Sequence, residues 1–431
     1  MRKKISILLV LFLALGWYET IGSVFGKSAE AERQIAAAEA YEKKEIYEDA
    51  LEAYRAALAL DPKREEVSRK IAEMHLRLGD TTAFIAACES LIYQEKTDED
   101  ALRMLVDYYG ANGKKKDAVF LLRELKESQK DNESVDALWK QYRGYYEELY
   151  FSCEELFPYY GGYAVAGNGG SYGIVDTEGN SVIALVYEKA GYFSTGELQA
   201  APVVLDGSCF YLNKKGRKKI VPDEAYEELG ILSENRIAVK KGGKAGYVDA
   251  SMTALTQLEW EEATAFREGV AAVRKDGKWA LIGDDFSLLT EYVFDDVAAG
   301  EAGFCCGQKR IFARTAEGFC LLNEKGEPVG EQFFEAVRPF EEEVTAVCVN
   351  GSWGFIDTDG AWVIEPAYED AYPFAHGLAP VKCKDGWGYI DLSGETVVGA
   401  EFEAAYPFNG DGTAPVKRGE SWSLIRLYAV T

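Results

Sequence analysis

Acidic side chains are the residues of this sequence whose types and spacing come nearest to catalytic chemistry. They stand in adjacent groups at Glu261-Glu262, Asp284-Asp285, Asp295-Asp296 and Glu341-Glu342-Glu343. A glycosidase needs two carboxylates that converge across one sugar ring. Nothing in the spacing of these groups indicates such convergence, so we interpret them as solvated loop residues. The sequence therefore predicts no catalytic residue and a protein that is not an enzyme.

Residues that could bind a metal or act as nucleophiles are few and poorly spaced. The two histidines, His75 and His376, are too far apart for a histidine-based metal site, and the eight cysteines include no Cys-x-x-Cys pair. We interpret the cysteines, including the adjacent Cys305 and Cys306, as buried small apolar residues. The sequence also contains no Gly-rich phosphate loop, Gly-x-Ser-x-Gly or His-Glu-x-x-His motif. It predicts no metal site and no cofactor.

Four charged residues in the first half have a spacing that could serve binding. Arg69 and Arg103 are 34 residues apart, and each precedes an acidic residue, Glu73 or Asp107, by four positions. On one face of a helical repeat, the two arginines could bind a carboxylate of a partner. The same spacing would also give two i,i+4 ion pairs on an exposed face. We favour the ion pairs and keep the four residues as candidates for partner binding.

Tryptophan residues indicate a second class of ligand. Trp279, Trp353 and Trp387 occupy equivalent positions in successive repeats, so we interpret them as packing residues rather than carbohydrate platforms. Trp260 and Trp362 lie off that register. We therefore expect these two at the surface, where they would be the better candidates for binding a glycan.

A repeat of about 34 residues organises the second half of the chain. Residues 353–381 are copied almost whole at 387–416. Apolar pairs stand on both sides of Asp357-Thr358-Asp359-Gly360, a pattern that predicts a β-hairpin with the first Asp capping its own turn. The aligned aromatic position is occupied by Tyr172, Cys209, Ala245, Trp279, Phe319, Trp353, Trp387 and Trp422. The Asp recurs at Asp176, Asp249, Asp357 and Asp391, with Asn213 and Asn323 as substitutes.

The repeated motif is Gly-x-Trp-Gly-Phe/Tyr-Ile-Asp-x-x-Gly, followed by Tyr-Glu-x-Ala-x-x-Phe-x-x-Gly-x-Ala-x-Val, and it resembles the WG-repeat family of bacteria. The match is tight over 351–416 and looser over 160–350, where Cys209 and Ala280 replace Trp and Gly. The resemblance implies an all-β repeat domain, usually extracytoplasmic, without catalytic residues. Seven to eight units could close into a propeller-like ring or form an open curved array. Closure predicts contact between residues 160–175 and 415–425.

Residues 28–150 lack the β pattern and are rich in helix-forming residues. A period of 34 relates Ala50, Phe84 and Ala118, and likewise Tyr54, Cys88 and Leu122. Gly79 and Gly113 fall where two helices would meet. This pattern resembles the tetratricopeptide repeat over residues 31–130. The resemblance implies an α-solenoid of about three helix pairs with a peptide-binding concave face, and we predict a capping helix over 133–150.

Charge and the N-terminal segment bear on location and partners. The net charge is −25, and residues 151–431 hold 24 basic against 44 acidic side chains, which disfavours nucleic acid and anionic membranes as partners. Arg2-Lys3-Lys4 precede the apolar residues 5–18, a pattern typical of an export signal or N-terminal anchor. We predict an extracytoplasmic protein, secreted or anchored to a bacterial membrane by residues 5–18 alone.

These patterns predict a multidomain α and β chain. Residues 1–27 would be the export signal or anchor, 28–150 the helical repeats, and 151–431 the β repeats. The predicted function is a non-catalytic scaffold that binds a protein or peptide partner. A cell-envelope module that binds or acts on glycans is the alternative, and a structural spacer is a third hypothesis.

Overall fold

The computed structural model describes residues 26–94, 97–128 and 132–430. The chain divides between Tyr142 and Arg143 into a helical unit and a β unit. The predicted fold class, helical repeats followed by a propeller-like ring, is confirmed. The predicted export segment at residues 5–18 lies outside the described residues. Within the described ranges, no helix combines the length and the apolar character needed to span a membrane.

Seven helices make up the described part of the helical unit. They are α1 (26–42), α2 (Tyr47–Leu60), α3 (Glu65–Arg77), α4 (Thr81–Ile92), α5 (Glu99–Ala111), α6 (Lys115–Glu127) and α7 (Glu133–Tyr142). Gly79 and Gly113 lie between α3 and α4 and between α5 and α6, with φ of 77° and 71°. Glycine adopts this left-handed backbone without steric cost, so both connections can be short.

The core of the helical unit follows the 34-residue period. The period-related residues are almost fully buried: Ala50, Phe84, Ala118, Tyr54, Cys88 and Leu122. Two helix starts are capped by carboxylates, because Asp80 accepts the backbone N–H of Ala83 at 3.1 Å and Asp98 accepts that of Ala101 at 2.9 Å. The sequence period therefore marks the positions where successive helices pack.

Eight antiparallel sheets make up the β unit. The first contains β2 (Glu155–Leu156), β3 (Tyr163–Asn168), β4 (Ser171–Asp176) and β5 (Ser181–Tyr187), and the second contains β6 (Lys189–Ala190), β7 (Ala200–Leu205), β8 (Ser208–Asn213) and β9 (Lys218–Ile220). The third contains β10 (Glu228–Leu229), β11 (Ile237–Lys241) and β12 (Lys244–Val248), and the fourth contains β13 (Glu262–Ala263), β14 (Val270–Lys275) and β15 (Lys278–Gly283).

The remaining four sheets continue the series. The fifth contains β16 (Asp296–Val297), β17 (Cys306–Gly307), β18 (Arg310–Thr315), β19 (Gly318–Asn323) and β20 (Pro328–Phe334), and the sixth contains β21 (Ala336–Val337), β22 (Val344–Val349), β23 (Ser352–Asp357) and β24 (Trp362–Tyr368). The seventh contains β25 (Asp370–Ala371), β26 (Leu378–Cys383), β27 (Gly386–Asp391) and β28 (Thr396–Phe402). The eighth contains β29 (Ala404–Ala405), β30 (Thr413–Arg418), β31 (Ser421–Leu427) and β1 (Tyr146–Glu148).

The eighth sheet closes the ring because β1, from the start of the β unit, pairs with β31 at its end. Cys153 and Trp422 form a further antiparallel bridge. Ala164, Val175 and Leu424 share one buried apolar cluster with these two residues. The predicted contact between residues 160–175 and 415–425 is therefore present. The β unit is an eight-bladed β-propeller, and the open-array alternative is wrong.

The same strand corrects the predicted capping helix. Helix α7 ends at Tyr142, whereas the prediction continued it to residue 150. Residues 146–148 instead form β1, whose backbone groups pair with a strand far along the chain. The spacing of apolar residues within 133–150 is helical, but it contains no information about a strand far along the chain. Pairing with that strand decides the conformation of residues 146–148.

Repeat aromatics pack between blades, as predicted. Trp279, Trp353, Trp387 and Trp422 are each at most 9% exposed. Trp387 in the seventh blade shares an apolar cluster with Val416 in the eighth, so its ring joins neighbouring sheets. All eight cysteines are free: five are buried, Cys209 and Cys320 are half-buried and Cys383 is exposed. The prediction of buried small apolar residues is therefore confirmed for five.

The repeated Asp and Asn residues cap the hairpin turns, as predicted. Each accepts the backbone N–H groups of the residues two and four positions later, at 2.8 to 3.1 Å. The six residues are Asp176, Asn213, Asp249, Asn323, Asp357 and Asp391. Because these side chains satisfy turn N–H groups that would otherwise need water, their recurrence reflects a structural demand.

A second repeated carboxylate has a role that the sequence analysis missed. The Glu at the second position of the Tyr-Glu-x-Ala motif, whose other positions vary between copies, accepts the backbone N–H of a glycine at the tip of the next hairpin. The pairs are Glu154–Gly169, Glu188–Gly207, Glu227–Gly243, Glu261–Gly277, Glu335–Gly351 and Glu403–Gly419, with shortest distances of 2.7 to 3.2 Å. Glu261 belongs to one of the predicted solvated acidic pairs, so that prediction is corrected: this carboxylate anchors a turn.

Candidate functional site

The propeller contains an axial cavity of about 360 Å³. Corresponding segments of the first, second, fifth, sixth, seventh and eighth blades line it, and such positions can meet only near the axis of the ring. Side chains that line it include Tyr160, Tyr192, Glu301, Arg338, Tyr372 and Phe408. The segment from each blade is the one that follows its Tyr-Glu-x-Ala motif. A concave site built by several repeats is therefore the first candidate for ligand binding.

A loop of the fifth blade forms one side of this cavity. The loop lies between β16 and β17, and Gly300 and Phe304 close it with a backbone hydrogen bond of 2.9 Å. The Phe304 ring is buried and lies 5.5 Å, between centroids, from the ring of Tyr160 in the first blade. The repeat that contains this loop has a spacing of 40 residues, from Trp279 to Phe319, where the others have 34 to 37. That irregular spacing is the sequence signal that could have located the site.

Tyrosines form much of the cavity wall. The Tyr192 hydroxyl donates to the carbonyl oxygen of Pro158 at 2.9 Å, and the Tyr160 ring lies 5.9 Å from that of Tyr192. The rings of Tyr372 and Tyr406 are 5.2 Å apart. Burial raises the pKa of Tyr192 and of Tyr372, and the Glu301 carboxylate acts in the same direction. The phenols therefore stay neutral at physiological pH, and the tyrosine part of the wall is aromatic and uncharged.

Two side chains of opposite charge, Arg338 and Glu301, line the cavity, and only Arg338 has partners among the described residues. The Arg338 guanidinium donates to Asp370 at 3.2 Å and to the carbonyl oxygen of Ala371 at 3.3 Å, and it lies 4.3 Å from the Tyr372 ring centroid. Among the described residues, none forms an ion pair or hydrogen bond with Glu301. The cavity thus combines aromatic faces with one engaged cation and one carboxylate that remains available.

The helical unit contains a second candidate site, a groove of about 550 Å³. The structure brings all four predicted residues to this groove: Arg69, Glu73, Arg103 and Asp107. They come from α3 and α5, and α1 and α2 contribute further lining residues. The 34-residue spacing therefore placed the candidate residues correctly on one shared surface.

Their pairing differs from the prediction. Arg69 binds Asp98 at 2.5 Å, and Glu73 binds Lys70 at 2.8 Å. Neither predicted i,i+4 ion pair forms among the described residues, and Arg103 has no ion-pair partner there. The ion-pair prediction is wrong because Asp98, which caps α5, offers Arg69 a buried acceptor. Only Arg103 is left to meet a partner's carboxylate.

Trp260 corrects the predicted surface candidates. Its side chain is buried, it donates from Nε1 to the Tyr292 hydroxyl at 2.8 Å, and it lies opposite Ala245 in a strand bridge. Trp260-Glu261-Glu262-Ala263 is the Tyr-Glu-x-Ala motif of its repeat, so Trp260 lies in register after all. The large ring fills the space beside the small Ala245, which stands at the position that Trp occupies in other copies.

Trp362 is half-buried on β24. Its ring lies edge-on to Phe334 of the preceding blade, with centroids 6.3 Å apart. The side chain therefore contributes to packing between the fifth and sixth blades and presents only part of its surface to solvent.

The fold and these sites define a β-propeller protein with an attached helical unit. A family model described as "WG containing repeat" matches residues 172–209, 246–279, 353–386 and 387–422. Four repeats of the β unit are therefore similar to the WG repeat. Among the curated proteins, none matches this chain.

Solved structures are similar to parts of this chain at low sequence identity. PorZ of Porphyromonas gingivalis, described as an essential bacterial surface component of the type-IX secretion system, is 13% identical with a TM-score of 0.36 over 63% of this chain and 42% of its own. The match therefore spans less than half of the PorZ chain. AztD of Citrobacter koseri is 14% identical with a TM-score of 0.37, over 57% of this chain and 85% of its own. The Neurospora crassa Pan2 WD40 domain is 10% identical with a TM-score of 0.30, over 55% and 89%.

Proposed function

We propose that this protein is a non-catalytic scaffold that binds a protein or peptide partner outside the cytoplasm. The observation that carries this proposal is the groove of the helical unit. It is lined by α1, α3 and α5, which are the first helices of three successive helix pairs, and by one residue of α2. A surface shared by successive repeats suits an extended segment of a partner.

The chemistry of the groove favours a peptide. Ile35 and Met104 supply apolar contact area, while five acidic and three basic side chains supply polar contacts. Arg103 is the basic residue whose charge no described residue meets, so it is the expected contact for a carboxylate of the partner. The likeness of these helix pairs to tetratricopeptide repeats, which usually bind extended peptides on the concave face, supports the same assignment.

The repeated carboxylates support a non-catalytic role. A catalytic side chain is needed once, whereas the Asp turn caps and the Glu residues of the Tyr-Glu-x-Ala motif recur in most blades. Each of them is engaged with backbone N–H groups. The extracytoplasmic location rests on the basic and apolar residues 2–18 and on the WG-repeat resemblance.

Site-specific photo-cross-linking in the full chain tests the proposal. A photoreactive benzoylphenylalanine at Met104 would lie in the groove, and the same residue at Leu76, which is 39% exposed on α3 and does not line the groove, is the matched control. We expect a discrete cross-linked partner from Met104 alone. Arg103→Ala should reduce it, whereas Arg77→Ala, at an exposed residue outside the groove, should not.

Other outcomes would redirect the assignment. Equal cross-linking from both positions would contradict a partner site in the groove. The glycan-binding alternative loses Trp260, which is buried, and retains Trp362 as its aromatic contact. Retention of the protein on a polysaccharide column that Trp362→Ala abolishes would favour this alternative.

A further inference from the structure

The axial cavity of the propeller is lined by an exposed carboxylate that forms no ion pair or hydrogen bond with a described residue. Glu301 lies on the fifth-blade loop and lines the cavity. The two neighbouring acidic residues are engaged: Glu341 binds Arg267 at 2.9 Å, and Glu342 accepts the backbone N–H of His376 at 3.0 Å. Glu301 is thus the carboxylate in this cavity that a ligand can meet without displacing a partner.

Aromatic rings line the cavity together with this carboxylate. The pKa values of Tyr192, Tyr372 and Tyr406 are raised, first by burial, and Glu301 contributes to each increase. Glu301 lines the same cavity as Tyr192 and Tyr372, which come from the second and seventh blades. Tyr192 is 6% exposed and Tyr372 is half-buried, so each presents only part of its surface to the cavity.

The same cavity already accommodates a cation on its wall. The Arg338 guanidinium carbon lies 4.3 Å from the Tyr372 ring centroid and 5.2 Å from that of Trp353. Asp370 balances its charge at 3.2 Å. The negative faces of aromatic rings attract cations, and the attraction strengthens where water is displaced. A second cation near Glu301 would gain from the rings and from the carboxylate together.

We propose that the axial cavity binds an organic cation, an ammonium group carried on an apolar stem, with Glu301 as its counter-ion and Tyr192 and Tyr372 as its walls. A cavity of about 360 Å³ accommodates a group of the size of a lysine side chain. The ammonium group can belong to a free alkyl amine or to a lysine of a protein. This site is separate from the helical groove on which the proposed function rests.

Titration calorimetry on the intact chain tests the proposal with four probes. Two carry ammonium groups, 1,5-diaminopentane and N-acetyl-lysine methylamide. The others are N-acetyl-norleucine methylamide, an uncharged analogue in which hydrogen replaces the ammonium group of lysine, and the dianion glutarate. We expect at least one ammonium probe to bind, with the norleucine derivative and the dianion binding at least about tenfold more weakly. Tighter binding of the lysine derivative would indicate a protein side chain, and tighter binding of the diamine a free amine.

Two variants assign the interaction to the cavity. Glu301→Gln removes the charge and keeps the shape, and it should weaken ammonium binding about tenfold or more. Glu331→Gln is the matched control, because Glu331 is an exposed carboxylate on β20 of the same blade, and it should bind as the unmodified chain does. Tyr372→Leu should weaken binding of the ammonium probes more than that of the norleucine derivative.

The proposal is overturned if the norleucine derivative binds as tightly as the lysine derivative, if no ammonium probe binds, or if Glu301→Gln leaves the affinity unchanged. Thermal unfolding of each variant separates loss of binding from loss of folding. Cross-linking at Met104 in the helical groove is unaffected by these variants, so failure of this inference and failure of the scaffold proposal can be distinguished.

Discussion

Tyr146 lies opposite Leu427 in the antiparallel ladder that joins β1 to β31. The Tyr146 hydroxyl donates to Glu401 at 2.5 Å and accepts from Arg418 Nη2 at 2.6 Å, while its ring lies 5.9 Å from that of Phe402. The first strand of the β unit is thus held to the eighth blade by backbone pairing and by the hydrogen bond from Arg418, and to the seventh blade by Glu401 and Phe402. Closure removes an exposed sheet edge that would otherwise be open to other chains.

Replacing Tyr146 should weaken this closure. We expect Tyr146→Ala to lower the free energy of unfolding of the propeller by about 2 kcal/mol, because two hydrogen bonds and a packed ring are lost. The measurement is the denaturant midpoint followed by tryptophan fluorescence. Tyr150→Ala is the control, since that side chain is fully exposed, and its change should stay within about 0.5 kcal/mol. Equal effects of the two substitutions would contradict the assigned role of β1.

The turn caps predict a difference between two substitutions at Asp357. Its Oδ1 accepts the N–H groups of Asp359 and Ala361, each at 2.9 Å. Asp357→Ala should destabilise the propeller by about 1 to 2 kcal/mol, because two turn donors lose their acceptor. Asp357→Asn keeps an oxygen there, as Asn213 does in its own repeat, and should be nearly neutral. Similar melting temperatures for the Ala and Asn variants would argue against the capping role.

Asp98 connects two parts of the helical unit. One carboxylate oxygen caps the N-terminus of α5 through Ala101, and the other binds Arg69 at 2.5 Å. Asp98→Ala should therefore cost about 2 kcal/mol of stability, measured by circular dichroism during urea unfolding. Asp100 lies 3.7 Å from Arg69 with its side chain 75% exposed, so Asp100→Ala should cost under about 0.5 kcal/mol. A larger effect at Asp100 would refute this ranking.

The buried His75 predicts how the helical unit responds to acid. Burial lowers its pKa from the ordinary value of 6.5, and the Arg55 guanidinium acts in the same direction, while Asp80 opposes both. The unfolded chain therefore binds the proton first as the pH falls. Stability should be complete above pH 6.5 and decline as the pH drops through that value toward the lower native pKa.

Urea midpoints at about pH 7.5 and about pH 5.5 measure this decline. His75→Gln should reduce the difference between the two midpoints, whatever its effect on stability at either pH. His376→Gln is the control, because the His376 side chain is exposed in the propeller, and it should leave the difference unchanged. A full pH response in the His75 variant would show that other groups cause it.

Cys383 allows a direct test of location. It is the exposed cysteine of the eight, and burial and nearby carboxylates raise the pKa of its thiol, so labelling should proceed best under mildly alkaline conditions. We expect a membrane-impermeant maleimide to label the protein on intact spheroplasts, and Cys383→Ser to abolish most of that labelling. Labelling that requires lysis would contradict an extracytoplasmic position.

Much of the candidate groove could be predicted from the sequence. The period of 34 correctly placed Arg69 and Arg103 on one surface, because helical repeats stack equivalent positions side by side. It did not predict that Asp98, a residue of the next repeat, would take the guanidinium of Arg69. A local i,i+4 acceptor and a distant one compete for the same donor, and only the packed helices decide which is nearer.

The axial cavity was less accessible to sequence reasoning. Its residues follow the repeated motif in several blades, and a single repeat does not indicate that these segments meet. Glu301 and Phe304 lie in the repeat whose length differs most from the others. The extra length shows that this repeat is irregular, but it does not show where in the propeller the additional residues lie. Trp260 was misplaced because its repeat has Ala245 where other copies have an aromatic residue. That copy lacks the residue by which the repeats are aligned, so Trp260 was assigned to a position outside the repeat register.

The sequence by itself determined the hairpin turns, their Asp and Asn caps, the buried repeat aromatics and the order of helical and β repeats. These features depend on residues close together in the chain or on positions that recur at a constant period. Only the tertiary structure decided that eight blades close, that residues 146–148 form a strand and that Glu301 lines one cavity with tyrosines of other blades. These outcomes depend on backbone and side-chain partners far apart in sequence, which come together only when the ring is complete.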